Sequence, residues 1–136
     1  MTHQPIDDLG PTAPFLAFCG IRRLELGQGT ARNELVMEPQ KGNRTGAAHG
    51  GLLMTMLDSV MASAARSQLA EDHGVMTVDM QVAFLSPGRG TLTGTGRVVR
   101  GGRSLMFCEG EIRDQANEIV ARGTGIFRPR RPKSRA

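Results

Sequence analysis

The 136-residue chain has no tryptophan, no tyrosine and only two cysteines. Leu, Val, Met and five Phe must therefore fill its core. Two thiols, Cys19 and Cys108, are too few for a disulfide scaffold, so reduced thiols and a cytoplasmic setting are expected. No apolar run approaches the length needed to cross a bilayer, which argues against a membrane partner. The first twenty residues lack a basic n-region and a long apolar stretch, so no secretory leader is expected. The histidines, cysteines and acids show no metal-ligand spacing, and there is no Walker-type glycine loop. No metal and no cofactor are expected.

Acid is missing from one end. The last nine residues, "RPRRPKSRA", hold five of the 17 basic groups and no carboxylate, leaving 12 basic against 13 acidic residues elsewhere. The net charge of +4 therefore describes a tail rather than a basic domain, and no nucleic-acid partner is expected. A solvated, disordered tail over 129–136 is the plain reading; weak contact with a polyanion or a phosphorylated ligand is the alternative.

The length suits one domain with one core. Residues up to about Gly10 look irregular, and "PTAPFLAFCG" suits a short helix ended by Gly20, giving an N-terminal segment over 1–19. Two strands then flank Gly27-Gln28-Gly29, a hairpin signal, and Pro39 stops the second. After the loop "QKGNRTG" an apolar helix is expected from about Gly50 to Leu69. Past Gly74 the pattern has period two: Met76, Val78, Met80, Val82 and Phe84 share one face, and Thr77, Asp79 and Gln81 the other. Three more strands follow, with turns at Pro87-Gly88, Gly101-Gly102 and "QAN". Short turns between consecutive strands imply an antiparallel meander. A single apolar helix in a strand-rich chain lies most economically across one face of a curved sheet. This helix is apolar over most of its circumference, so a second subunit is expected to help cover it.

Between His49 and Arg66 the one formal charge is Asp58. Burying an unpaired carboxylate costs several kcal/mol. Either Thr55, Asp58, Ser59 and Ala62 form a wet stripe, or Asp58 is held at a cleft as nucleophile or general base. The helix opens with Gly50-Gly51, poor helix formers. At a helix start, glycine lets a ligand approach free N–H groups at the positive end of the dipole, where a carbonyl oxygen is polarised. Tight helix–sheet packing is the competing reason for the pair. His49 and Asp58 are nine positions apart, about 13 Å of rise and about half a turn of residual rotation. If both are functional, each site joins the helix start of one subunit to the Asp of another.

The stretch "NRTGAAHGGLLMTMLD" resembles the signature of hotdog-fold acyl-CoA thioesterases of the phenylacetate-degradation (PaaI-like) type. Asn43, His49, Gly50, Gly51 and Asp58 match without a gap, and the likeness runs over roughly residues 20–127. The resemblance implies an α+β hotdog fold over 20–128, with an antiparallel sheet of five to six strands wrapped around one long central helix. It also implies homodimers with shared active sites, often assembled into tetramers, acting on acyl-CoA. Asp58 would attack the thioester or activate water. The N–H of Gly50 or Gly51 would hold the thioester oxygen, Asn43 would position the carbonyl or the water, and His49 would support the loop. Thr77 fits the place of a water-orienting hydroxyl, though it could be an ordinary polar strand residue. Arg89, Arg103 and Ser104 lie in turns where cations and hydroxyls could meet the phosphates of coenzyme A; ordinary surface residues are the alternative. Leu52, Leu53, Met54, Met56 and Phe84 could line an acyl pocket or belong to the core. A hotdog hydratase or dehydratase, using His49 with Asp58, and a non-catalytic acyl-CoA binding module remain the competing functions.

Overall fold

The computed structural model describes residues 13–132. The irregular stretch expected before Gly10 and the end of the basic tail lie outside them. Helix α1 spans Pro14–Cys19, with proline at its start and Gly20 closing it at φ 75°. Strands β1 (Ile21–Gly27) and β2 (Thr30–Val36) form the expected hairpin. A 3-10 turn at Pro39–Lys41 leads to the long helix α2, Gly50–Arg66. It ends three residues earlier than its apolar pattern. The Ser67 hydroxyl donates to Ala64 O at 2.6 Å and accepts from Gly29 N at 2.7 Å, serving the hairpin turn at the helix end. Four strands follow: β3 (Gly74–Phe84), β4 (Thr91–Arg100), β5 (Met106–Arg113) and β6 (Ile119–Arg130). Strand β6 runs through Pro129 and Arg130, so the tail expected from 129 begins inside a strand.

The six strands form one antiparallel sheet in the order β1-β2-β4-β5-β6-β3, with α2 packed against it. This is the hotdog arrangement. One expectation fails: β3 and β4 are not hairpin partners. Residues 85–90 form a crossover rather than a turn. Leu85 and Ser86 donate to Val120 O on β6; Ala48, just before α2, donates to Gly88 O; and Gly90 O accepts from Met37 beyond β2. Strand β3 thus reaches the far edge of the sheet, beside β6 alone.

Leu35, Met56, Leu57, Met61, Leu92 and Phe127 are fully buried between α2 and the sheet. The helix comes close because the strands beneath it carry glycine. A Cβ on Gly96 would lie 2.6 Å from Val60 O, a backbone atom that cannot give way. Ser59, a member of the proposed wet stripe, is buried, whereas Thr55, Asp58 and Ala62 are half-buried.

Two departures from a regular sheet bear on the site. In β3, Thr77 pairs with Phe127 and Asp79 with Ile126, leaving Val78 as the extra residue of a bulge. An extra residue reverses which face the flanking positions occupy. Val75, Met80 and Val82 pack on the core, while Met76 and Val78 are exposed. Thr77, opposite the buried Phe127, therefore faces the helix, not the side away from Met80 that strict alternation assigns it. In β2, Asn33 is buried among core residues. Its Nδ2 donates to Met56 O at 3.1 Å, but its Oδ1 meets no partner among the described residues. Such an orphan costs about 1–3 kcal/mol, against about 1 kcal/mol returned by the single bond.

Candidate active site

The loop before α2 is built around one side chain. Asn43 Oδ1 accepts from Thr45 N (2.9 Å), Thr45 Oγ1 (2.8 Å) and Ala47 N (3.2 Å), and Asn43 N donates to Ala47 O at 2.7 Å. The tight return needs Gly46 at φ 83°. With its oxygen saturated, Asn43 keeps its Nδ2 protons for a ligand. His49 is the N-cap of α2, and its Nδ1 accepts from Gly51 N at 2.9 Å. This assigns the ring's proton to Nε2 and takes up the Gly51 N–H. The Gly50 N–H remains without an acceptor among the described residues.

The glycine pair is not explained by packing against the sheet backbone. A Cβ on Gly50 would make ordinary contact with the Phe84 ring, 3.5 Å from Cε1, and one on Gly51 would meet only the ring of His49. Bare backbone at this helix start keeps the Gly50 N–H accessible.

Asp58 projects from the middle of α2 towards the outer edge of the sheet. Thr77 Oγ1 donates to its Oδ1 at 2.7 Å, leaving Oδ2 as an acceptor. The bulge in β3 makes this contact possible. The sequence-predicted residues thus fall into two groups. Asn43, His49, Gly50 and Gly51 sit at the start of α2, where β3 ends with Phe84; Asp58 and Thr77 sit two turns further on, where β3 begins. The residues of one chain do not converge on one reaction centre.

The proposed phosphate contacts also divide. Arg89, carried on the crossover, donates from Nη2 to Thr45 O at 3.3 Å and so stands beside the Asn43 loop. Arg103 and Ser104 are exposed in the β4–β5 connection; the neighbouring Gly101 lies against Gln68, past the other end of α2. Of the residues weighed for an acyl pocket, Leu53 and Met56 are core, Leu52 is half-buried, and Met54 and Phe84 are exposed. A concavity of about 810 Å³ is lined by Arg32, Arg97, Glu109, Glu111 and Arg122 among others, and by none of the residues of either group. Cys108 is buried, and desolvation pushes its thiol up to about 11, away from nucleophile chemistry. Among the described residues no cluster of His, Cys, Asp and Glu could hold a metal ion, and no helix is long and apolar enough to cross a membrane.

Residues 45–121 match the sequence profile of the thioesterase superfamily. A Mycobacterium tuberculosis protein provisionally named an esterase is 32% identical over 128 residues, covering 88% of this chain and 91% of its own. Acyl-coenzyme A thioesterase 13 of Mus musculus is 28% identical over 93 residues, 66% of each chain. The solved structure of E. coli PaaI, a protein of the phenylacetic acid degradation operon, superposes with a TM-score of 0.81 at 26% identity, covering 88% of this chain and 86% of the other.

Proposed function

The chain belongs to the thioesterase superfamily, and we propose that it hydrolyses an acyl-CoA thioester to the free acid and coenzyme A. The observation that carries this reading is the Asp58–Thr77 pair, a half-buried carboxylate on an otherwise apolar helix, held by one hydroxyl at an open sheet edge. Thr77 fixes Oδ1 and leaves Oδ2 to act. Asp58 either takes a proton from attacking water or attacks the carbonyl carbon itself; in both routes the C–S bond breaks and the thiolate leaves with the electron pair, and in the second water then cleaves the acyl–aspartyl anhydride to release the acid and restore Asp58. The Gly50 N–H, at the positive end of α2, holds the carbonyl oxygen as it gains charge. The Asn43 amide donates to the same carbonyl or to the water. His49 serves as a cap. With Nδ1 spent on Gly51, it is poorly placed as the base of a hydratase, so hydrolysis is the favoured chemistry.

The two groups meet across a dimer. Strand β3 is eleven residues long and has one neighbour. Along it Met76, Val78 and Phe84 are 45–52% exposed, and Leu85 beyond its end is 55% exposed. A long unpaired apolar edge is a pairing surface. Antiparallel pairing of β3 with a second β3, about a two-fold axis near Met80 and Gln81, sets Thr77 of one chain opposite the partner's Phe84. Asp58 then faces the partner's helix start, and Arg89 beside that start is offered to the coenzyme A phosphates.

The test is thiol release from a panel of acyl-CoA esters, run beside enoyl-CoA hydration, on the parent protein and Asp58→Asn. We expect kcat to fall at least ~100-fold with little change in KM, the scale of a lost general base. Near-normal turnover by the folded variant refutes the assignment, and hydration without hydrolysis refutes the reaction.

A further inference from the structure

Asn33 stands where the alternation of β2 calls for an apolar residue: Ala31 and Leu35 on either side are buried, and Asn33 itself is 1% exposed. Its oxygen fills the space that a Cβ on Gly94, its cross-strand neighbour, would occupy. An isosteric apolar side chain would remove the orphaned oxygen and lose only one bond, so stability does not account for the amide. The side chain's one partner among the described residues is Met56 O, in the middle of α2 and two residues before Asp58.

The helix rests on glycines. A Cβ added to Gly96, Gly110, Gly123 or Gly125 would come within 3.4 Å of Leu57, Val60 or Met61 on α2. Such a floor lets the helix approach closely, with Leu35, Leu92 and Phe127 of the strands packed in the same core. Directional bonds add to that packing in setting the register of α2. Side-chain bonds that reach the middle of α2 from the sheet include Asn33 to Met56 O from β2 and Thr77 to Asp58 from β3. Positions 56 and 58 are about 200° apart around the helix, so the bonds grip opposite flanks.

We propose that Asn33 is a positioning residue: its amide fixes the rotational and axial register of α2 so that Asp58 meets the Thr77 hydroxyl. This rests on Asp58 being the reactive carboxylate. A displacement of about 1 Å at a reacting group can cost up to about 100-fold in rate.

The full chain is assayed as Asn33→Leu, Thr77→Val, their double variant and Asn33→Asp, each for kcat, KM and denaturant stability. Asn33→Leu is expected to be at least as stable as the parent, with kcat lowered about tenfold and KM nearly unchanged. The double variant should lose no more than the worse single one, because both act through one contact. In Asn33→Asp a neutral acid can donate to Met56 O and an ionised one cannot, and burial raises its pKa. Its kcat relative to the parent should therefore decline as pH rises from about 5.5 to about 9. Parent-like kcat in Asn33→Leu, or a double variant whose loss is the product of the singles, overturns the proposal. If Asn33→Leu does not fold, Asn33→Asp decides: a ratio constant with pH overturns it. Asp58→Asn is run alongside. Should that variant stay active, the site reading has failed; should it be dead while Asn33→Leu is not, only the positioning role has.

Discussion

Two inactive variants should restore each other's activity. Gly50 and Asp58 are separated by eight residues of α2, about 12 Å of rise, and β3 carries Phe84 beside the first and Thr77 beside the second. A thioester carbonyl cannot touch both groups of one chain. The first variant is Asp58→Ala. The second is Asn43→Asp, chosen because Asn43 Oδ1 holds three hydrogen bonds of its loop; aspartate keeps that acceptor oxygen and replaces the amide N–H donor with a charged carboxylate oxygen, which cannot donate. After gentle denaturation and refolding of an equal mixture, random pairing makes about half the dimers mixed, as a two-fold interface allows. In each mixed dimer one site receives an intact Asn43 and an intact Asp58, and the other receives both lesions. About a quarter of all sites should work, so thiol release should return to about 25% of the parent value. Native mass spectrometry with one variant tagged reports the exchange. Confirmed exchange with no recovered turnover would mean that each site lies within one chain, and the pairing of β3 edges would be refuted with it.

Thr77→Val keeps the shape of the side chain and removes the hydroxyl; kcat should fall about tenfold, less than for Asp58→Asn, because Asp58 is still present but unheld. An equal loss in steady-state assays would give Thr77 the larger role. Gly96→Ala should be badly destabilising, by about 3 kcal/mol or more, since its Cβ would overlap Val60 O; a denaturation midpoint near the parent's would contradict the close approach of α2. Burial raises the Cys108 thiol to about 11. A group with a raised folded pKa contributes fully below its unfolded pKa, so stability should decline between pH ~9 and ~11, and Cys108→Ala should flatten that decline in urea titrations. A parallel slope in both proteins would assign the loss to other groups.

The element order was legible from Gly20 onward, because Gly, Pro and the switch from period 3.6 to period 2 mark most boundaries; the end of α2 at Arg66 and the β5–β6 turn carry neither Gly nor Pro. The sheet order was not. "SPGRG" reads as a turn whether it closes a hairpin or carries the chain across the sheet, and the backbone bonds that decide between them come from Ala48 and Val120, distant in sequence. The loop signature nominated Asn43, His49, Gly50, Gly51 and Asp58 as candidates, but which glycine keeps a free N–H among the described residues depended on the orientation of the His49 ring. Thr77 was nominated by likeness while its strand face was misassigned: a bulge leaves the composition unchanged and reverses the alternation. Asn33 was missed, although "ARNEL" places a polar residue at the centre of an apolar alternation. That is a signal of its own.

The crossover has a consequence for the order in which the molecule can be completed. Strand β3 is made before β4, β5 and β6, yet its one partner among the described residues is β6, whose last paired residue, Arg130, lies opposite Gly74. The β1–β2 hairpin and the β4–β5–β6 meander can close from neighbouring segments, whereas β3 must wait for the intervening residues 85–118 to be organised. During synthesis the Thr77–Asp58 contact therefore cannot be secured until nearly the whole chain has emerged. Until then β3 has both edges open and its apolar side chains uncovered, the condition in which a nascent strand is most prone to pair wrongly with a neighbouring chain.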